Sequence, residues 1–278
     1  MRVALNGMAG MDDTGLLQWF QETSAGRPCW RQHPNSEVDH IGATAWILLA
    51  FSRTGQKPDK SHIECLLTNQ HTTGWWPQYP AQDIEENAST YATALSVWAL
   101  YELSKRHLIP QIQKTRVDAA IVAGKDWLVS HNIKDEPANW RDYDRGMYGK
   151  ESLGLSGLVI HVLHAIGSSS QSNDKAWMAS LPRDLPAVND QVASAFPVRL
   201  AGTGVASDPT HNFTVPWLLI ATVDAYPQGT LMQRAKAQRL FDKICDRSDE
   251  IQHKAYGLPW LAAELLMSLR YLQGDRVI

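Results

Sequence analysis

The sequence has little that would indicate a membrane span, a disulfide framework or a nucleic-acid partner. Its longest apolar stretches, residues 41–51 and 213–223, are far shorter than the roughly 20 residues that cross a bilayer. Its lysines and arginines form no basic block, which argues against nucleic acid as a partner. The three cysteines, Cys29, Cys65 and Cys245, are widely spaced and odd in number. They predict neither a disulfide framework nor a zinc knuckle, and a reducing cytoplasm is the simplest compartment.

Tryptophan, by contrast, is abundant. The chain holds 11 tryptophans among 278 residues, with 44% apolar and 20% charged residues and a net charge of −3. That composition is typical of a folded globular protein. Because a buried indole N–H needs a hydrogen-bond partner, so many rings must serve packing, a pocket, or both.

A repeated order of elements runs through the sequence. A short amphipathic segment, a polar loop and a tryptophan follow one another at residues 16–32, 62–78 and 124–140. A strongly apolar segment follows each tryptophan, at residues 41–51, 91–103 and 153–167, and two more of this type lie at 212–226 and 257–272. The first two share the tripeptide Ala-Thr-Ala, at residues 43–45 and 92–94. The chain therefore alternates two kinds of helix.

Helical periodicity predicts an all-α fold. Alternating strand patterns are rare, and Ala92, Leu95, Ala99 and Leu103 form one helical stripe with further apolar residues beside it. Helices that are apolar on several sides fit a closed α/α toroid, in which an outer ring of amphipathic helices shields an inner ring. An open solenoid is the alternative. We expect one domain over residues 1–278, with repeat units at about 14–57, 61–106, 115–167, 172–226 and 231–273 and a degenerate or interrupted stretch at 168–205.

One repeat is similar to a known motif. Leu66, Leu67, Gln70, Gly74 and Trp76 follow a Q-x-x-x-G-x-W pattern, and residues 89–94 begin the next apolar helix as the pattern requires. Residues 63–103 thus resemble the QW repeat of the prenyltransferase and squalene–hopene cyclase (terpenoid cyclase) superfamily, with weaker matches elsewhere. The resemblance implies an α/α toroid with a central apolar cavity. It also implies cyclisation of polyprenes by protonation, prenyl transfer at a zinc site, or binding alone.

The acidic signature of the protonating cyclases, D-x-D-D-T-A, is missing from the starts of the apolar helices. Asp12, Asp13 and Thr14 resemble part of it but precede an amphipathic segment, where they fit a helix N-cap. The acids nearest to apolar helix starts are Asp208 and Asp39, which are our candidate catalytic residues.

Further polar and aromatic residues lie close to the starts of the apolar helices. The candidate substrate-binding residues are His40, Tyr91, His211, Trp217, His253, Tyr256 and Trp260. Helix N-termini favour an anionic head group, and tryptophan faces stabilise cations. The alternative is that the polar members only cap helices and form hydrogen bonds across the rim.

No cofactor is expected. Zinc would need a third protein ligand beside Asp208 and His211. The acidic residues Asp83, Glu85 and Glu86 have the chemistry for Mg²⁺ but fit a solvated loop better. His161 and His164 have a metal-compatible spacing, yet ordinary core or pocket histidines are favoured.

Three functions stay open. The first is a cyclase- or prenyltransferase-like protein that acts on or binds an isoprenoid. The second is a non-catalytic toroid that binds a lipid, a peptide or a subunit, and a second chain or a homo-oligomer would complete its surface. The third is carbohydrate chemistry with two carboxylates, Asp208 and either Asp39 or Glu86.

Overall fold

The computed structural model describes residues 26–31, 38–80, 88–132, 138–140, 153–183, 190–191, 196–200, 204–208, 211–212, 214–246, 267–268 and 271. Eight α-helices are described there: α1 (Ile41–Thr54), α2 (Lys60–Thr68), α3 (Thr90–Lys105), α4 (Gln111–Ser130), α5 (Leu153–Ala165), α6 (Gln171–Ser180), α7 (Thr214–Ala225) and α8 (Leu231–Asp246). The strands are β1 (Trp76–Pro77), β2 (Ala88–Ser89), β3 (Asp190–Gln191), β4 (Phe196–Leu200), β5 (Gly204–Asp208) and β6 (His211–Asn212), and a 3-10 turn covers Tyr226–Gln228. The prediction of a mainly helical fold is confirmed. None of the described helices has the length and apolarity that a membrane span requires.

The two kinds of helix that the sequence predicts are both present. Helix α3 buries 12 of its 16 residues, and every residue of α5 from Gly154 to Leu163 is buried. Helix α4 is longer, at 20 residues, but buries only six of them, and α8 buries only three. Helices α3 and α5 are therefore covered on all sides, whereas α4 and α8 each have one buried stripe.

The apolar helices α1, α3, α5 and α7, which we call the covered helices, pack side by side. Helix α1 lies against α3, α3 against α5, and α5 against α7. On their outer side, α2 packs against α1, α4 against α3, and α6 against α7. The rings of Trp46 in α1 and Trp217 in α7 are also 6.2 Å apart, so the first and last members of this series meet.

One hydrogen-bond pattern joins each tryptophan loop to the covered helix that follows it. The backbone N–H of Trp30, Trp76 and Trp140 donates to the hydroxyl oxygens of Thr44, Thr93 and Ser156, respectively, each over 2.9 Å. The two threonine hydroxyls donate onward to backbone carbonyls in their helix caps, and the serine hydroxyl donates to a nearby asparagine side chain. The shared Ala-Thr-Ala tripeptide therefore places an equivalent hydroxyl in the first two repeats, and Ser156 supplies it in the third.

The motif residues around Trp76 hold their loop against the next outer helix. The Gln70 side-chain amide donates to the carbonyls of Gly74 and of Ala120 in α4, both over 2.9 Å. Gly74 has φ +106°, and a Cβ there would lie 2.3 Å from the carbonyl oxygen of Ala123. Only glycine allows both this dihedral angle and this close approach. The indole N–H of Trp76 donates to the Leu66 carbonyl of the preceding outer helix over 2.6 Å.

A disulfide joins Cys29 to Cys65, so the expectation that the cysteines stay unpaired is wrong. The two cysteines lie 36 residues apart in sequence. They meet because the loop before Trp30 packs on α2, in the same way that the loop before Trp76 packs on α4. The Trp30 ring stacks on His62 of α2 with centroids 3.6 Å apart. Cys245 is free and exposed. The cytoplasmic location stays a prediction, but the cysteine pattern no longer supports it.

Antiparallel strands lie in the connection between α6 and α7, which overlaps the predicted irregular stretch at residues 168–205. There, β3 pairs with β6 and β4 with β5. The described part of the corresponding connection in the second repeat, between α2 and α3, has only the two-residue strands β1 and β2, whereas β4 and β5 have five residues each.

Replacing both disulfide cysteines, in the variant C29S/C65S, should lower the free energy of unfolding. A cross-link that closes a loop of 36 residues contributes about 4 kcal/mol by restricting the unfolded chain. Urea unfolding measures the difference, and Cys245→Ser, at an exposed free thiol, is the control that should behave as the parent. A loss below about 1 kcal/mol would contradict a stabilising role for this cross-link.

Candidate functional site

Three tryptophan rings from different covered helices meet at one place. Trp46 of α1, Trp98 of α3 and Trp217 of α7 have ring centroids 6.1, 6.2 and 6.3 Å apart, and we call them the tryptophan cluster. The Trp98 ring stands at 69° and 77° to the other two, which is the favourable edge-to-face arrangement. Trp98 and Trp217 are buried, whereas Trp46 is half-buried. The cluster is therefore a packed aromatic group with one member partly open to solvent.

A polar network lies directly against this cluster. His161 of α5 has its ring centroid 4.9 Å from that of Trp98 and 6.0 Å from that of Trp217. Its Nδ1 lies 2.8 Å from Oδ2 of Asp224 in α7, and the Tyr271 hydroxyl donates to Oδ1 of the same carboxylate. The His161 and Asp224 side chains are only 6% and 7% exposed. We call these three residues the polar network.

The hydrogen bonds of the network define what each group can do. Both Asp224 oxygens accept hydrogen bonds, as an ionised carboxylate does, so the hydrogen between the two residues belongs to His161 Nδ1. His161 Nε2 makes no hydrogen bond within the described part of the chain. A neutral imidazole with Nδ1–H has Nε2 as a proton acceptor. The arrangement therefore leaves one basic nitrogen beside aromatic rings.

A glycine sets the spacing between the two helices that carry the site. Gly157 is one helical turn before His161 on α5, and a Cβ there would lie 2.6 Å from the Trp217 carbonyl oxygen. The missing side chain lets α7 approach closely enough for Trp217 to reach His161. Asp224 lies seven residues after Trp217, which places both on the same face of α7.

The two predicted catalytic acids each precede a covered helix in the sequence. Asp39 precedes α1, has a side chain 24% exposed, and lies 3.5 Å from the Arg27 guanidinium. Asp208 is the last residue of β5, and β6 lies between it and α7. Asp208 thus lies six residues before the start of α7 at Thr214, and its catalytic role stays a prediction. His211 is in β6, close to the start of α7.

His40 caps a helix. The Ala43 backbone N–H donates to its Nδ1 over 3.0 Å, and the Gln78 side-chain amide lies 3.1 Å from its Nε2. Both ring nitrogens are thus engaged within the protein, as the capping alternative predicts. Burial lowers the pKa of His40 from 6.5 to about 4, so the ring is neutral at neutral pH.

Tyr91 and Trp217 are the predicted binding residues that come together. The Trp46 indole N–H donates to the Tyr91 hydroxyl over 2.9 Å, which attaches Tyr91 to the tryptophan cluster. Trp217 is itself a member of that cluster. Tyr91 is half-buried, as Trp46 is, so both lie at the partly open side of the cluster.

Several predicted residues fall outside the described part of the chain. These are His253, Tyr256 and Trp260, the N-terminal Asp12, Asp13 and Thr14, and the acidic Asp83, Glu85 and Glu86. His161 and His164 bind separate carboxylates, since His164 Nε2 lies 2.8 Å from Asp174. Among the described residues, no three histidine, cysteine or acidic side chains converge as a metal site would need.

Sequence reasoning missed Trp46, Trp98, Asp224 and Tyr271. Asp224 carried a usable signal, because it is the only charged residue in the apolar segment 212–226. A charge on a buried helix needs a partner, and the preceding apolar helix offers two histidines for that role, His161 and His164. The sequence around Trp46, Trp98 or Tyr271 has no pattern that identifies these residues as part of a site, because their proximity depends on how the helices pack.

Comparison of the chain with protein-family models, curated proteins and solved structures finds no match. The resemblance of residues 63–103 to a QW repeat therefore remains a proposal. The function has to be argued from the tryptophan cluster and the polar network themselves.

Lowering the pH from about 6.5 to 4 should destabilise the fold through His40. Its pKa is 6.5 unfolded and about 4 folded, so the unfolded chain binds the extra proton in this window and stability falls as pH falls. The full effect is about 3 kcal/mol. Urea unfolding at several pH values measures it. His40→Asn keeps a capping oxygen and should flatten this part of the pH dependence. His107→Asn, on an exposed turn with φ 59°, is the control, and an unchanged profile for His40→Asn would contradict the assignment.

Adding a methyl group at Gly157 should push α5 and α7 apart. Gly157→Ala places an atom 2.6 Å from a backbone oxygen, which cannot move alone, and overpacking of this kind costs about 1–3 kcal/mol. Gly229→Ala is the control, because the atom closest to its methyl group is the flexible end of the Met178 side chain, at 2.7 Å, and its other neighbours lie at ordinary contact distances. Urea unfolding followed by tryptophan fluorescence measures the stability of both variants. Equal stability of the two variants would show that the close approach does not constrain the helices.

Proposed function

We propose that the chain is a terpenoid cyclase- or prenyltransferase-like protein that binds an isoprenoid against the tryptophan cluster and uses the polar network for proton transfer. The observation that carries this proposal is the placement of a buried His161–Asp224 pair against the faces and edges of Trp98 and Trp217. A buried carboxylate is costly unless it is well hydrogen-bonded, and a buried polar pair of this kind adds little stability compared with apolar packing. Its presence among tryptophans therefore favours a functional role.

The proposed architecture is the α/α toroid. Its support is the side-by-side order of the four covered helices, with outer helices on their far side. The contact between Trp46 and Trp217 is what a closed ring requires, because in an open solenoid the first and fourth covered helices would be far apart.

An apolar ligand surface is available beside the cluster. On α1, Ala43, Trp46, Ile47 and Ala50 follow the i, i+3, i+4, i+7 spacing of one helix face, and all four are half-buried. The opposite residues of α1 are buried in the core. An isoprenoid chain lying on this stripe would reach Trp46 and, through it, the rest of the cluster.

The chemistry of the cluster and network suits a cationic intermediate. Tryptophan faces attract positive charge, and the carboxylate of Asp224 adds to this attraction. In the proton-transfer step, a C–H bond next to the cationic carbon breaks, its electron pair forms the C=C bond, and the proton goes to His161 Nε2. Asp224 then stabilises the imidazolium through Nδ1–H. Asp224, rather than Asp208 or Asp39, is the carboxylate that we assign to this role.

The second candidate is a non-catalytic module that binds a lipid, a peptide or another subunit. It is favoured by the mutual contact of the three tryptophan rings, which fill the space between them. The apolar stripe on α1 would then be the binding surface, and the polar network would fix the packing of α5 and α7.

Titration of the purified protein with 15-carbon isoprenoids, followed by tryptophan fluorescence, should show saturable binding. Trp217→Leu should weaken it by about tenfold, because an aromatic contact at the cluster is lost. Trp127→Phe is the matched control, since this ring stacks on His131 of an outer helix. Absence of binding would contradict the proposal. Extraction and gas chromatography after incubation with farnesyl diphosphate, geranylgeranyl diphosphate and squalene tests turnover, and binding without product would favour the non-catalytic module.

A further inference from the structure

The outward side of the outer helix α4 has a stripe of apolar residues. Among the described residues five large apolar side chains are exposed, and three of them lie on this helix: Ile112, Val122 and Val129, at 86%, 52% and 45%. Ala119 is exposed between them. The six buried residues of α4 lie on the opposite side of the helix, which packs on α3. The cover that α4 provides for α3 therefore does not explain the stripe.

The stripe has the seven-residue spacing of a helix that packs along another helix. Its positions form two sets at seven-residue intervals, with the second set three residues after the first: Ile112, Ala119 and Asp126, and Thr115, Val122 and Val129. All six residues are exposed. On the outer helix α8, by contrast, the exposed large apolar residues are confined to Leu231 and Met232 in the first turn. A continuous stripe is thus a property of α4 and not of outer helices in general.

The apolar residues of the stripe match a second copy of the same helix in the antiparallel orientation. When the two-fold axis lies midway between Ala119 and Val122, each of these two residues faces the other one in the second copy. Ile112 then faces Val129 of the partner subunit. Two-fold symmetry repeats every contact, so all the apolar positions of the stripe are paired with apolar positions.

The polar residues match in the same register. Thr115 faces Asp126 of the partner subunit, to which its hydroxyl group can donate a hydrogen bond. Asp118, beside the stripe, lies next to Lys125 of the partner subunit, and symmetry provides this attraction twice. In the parallel orientation each residue would face its own copy, so the two Asp126 carboxylates would repel each other. Charge complementarity therefore selects the antiparallel pair.

The ion pairs that these charges make within the chain do not oppose the contact. Asp118 lies 3.3 Å from Lys114, and Lys125 lies 3.0 Å from Asp126. The Asp118 carboxylate also accepts a hydrogen bond from Ser104 over 3.3 Å. Ion pairs with both members partly exposed contribute little stability, so Asp118 and Lys125 can turn to each other across an interface at small cost.

We propose that the outward side of α4 is the interface of a homodimer, in which α4 packs antiparallel against α4 of a second copy. The helix is about 30 Å long, and a contact between one pair of helices is small among specific interfaces. We expect a dissociation constant in the micromolar range. The stripe lies on the far side of α4 from α3, so the inference is independent of the proposed isoprenoid site.

Sedimentation velocity of the full chain over a range of micromolar concentrations should show a reversible monomer–dimer equilibrium. Val122→Glu should raise the dissociation constant at least tenfold, because it places two like charges close to the two-fold axis. Leu231→Glu is the matched control, since it adds the same charge at an exposed apolar residue of α8 and should leave the equilibrium unchanged. A native chain that stays monomeric throughout, or an equal effect of the two variants, overturns the proposal.

Charge reversal tests the register. Asp118→Lys and Lys125→Asp should each weaken the dimer several-fold, because each places like charges opposite one another. The double variant D118K/K125D restores opposite charges across the interface and should dimerise to within about twofold of the native chain. Urea unfolding of each variant checks that the monomer keeps its stability. A double variant that dimerises no better than the single variants shows association through another surface and overturns the assignment.

A distance measurement tests the orientation. A spin label on Gln111→Cys, in a Cys245→Ser background that removes the exposed free thiol, lies near one end of α4. The labels of the two subunits should be about 30 Å apart in the antiparallel dimer, against about 10 Å in a parallel one. Pulsed electron paramagnetic resonance measures this distance. A value near the shorter distance, or no distance between labels in a sample that sediments as a dimer, contradicts the antiparallel α4 interface.

Discussion

The structure depends on one constraint: helices that are buried on all sides must have their N-terminal backbone groups satisfied by protein rather than by water. The first N–H groups of any helix lack partners within it. In the first two repeats, His40 and Ser89 accept from the third residue of their helix, while Thr44 and Thr93 accept from the preceding tryptophan loop. The loop is thus tied to the helix at the same point where the helix needs its cap. Each tryptophan ring then fills the space between the covered helix and its outer neighbours.

Close approach of α5 and α7 is a second requirement, and the site depends on it. Gly157 removes the side chain that would separate the two helices, and the pair then carries both halves of the His161–Asp224 contact. A carboxylate at this depth is stable only because hydrogen bonds satisfy its oxygens. The Trp98 ring of α3 packs against His161 and also against Trp46 of α1.

The sequence predicts which segments form helices and how strongly each helix is buried, but it does not predict which distant residues come into contact. Periodicity predicted helices such as α3 and α4 and their different burial, because a helix shows its environment in its own residues. Gln70 and Gly74 of the Q-x-x-x-G-x-W pattern anchor a loop against α4, although the assignment of the pattern to a known repeat stays a prediction. The Cys29–Cys65 pairing and the proximity of Trp46 to Trp217 depend on contacts between distant repeats, which no local pattern encodes. The same holds for the candidate site: the residues predicted as binding groups include Trp217 and Tyr91 of the tryptophan cluster's surroundings, whereas the strands between Asp208 and α7 are too short for their side-chain alternation to be recognised in the sequence.

The tryptophan cluster and the polar network are assembled from residues that are far apart along the chain. Trp46 of the tryptophan cluster and Tyr271 of the polar network are 225 positions apart in the sequence. Contacts of such long range form late, because the entropy of closing the intervening chain must first be overcome. A ligand bound here would therefore recognise only molecules in which α1 and the segment around Tyr271 have docked, and it would stabilise that state by mass action.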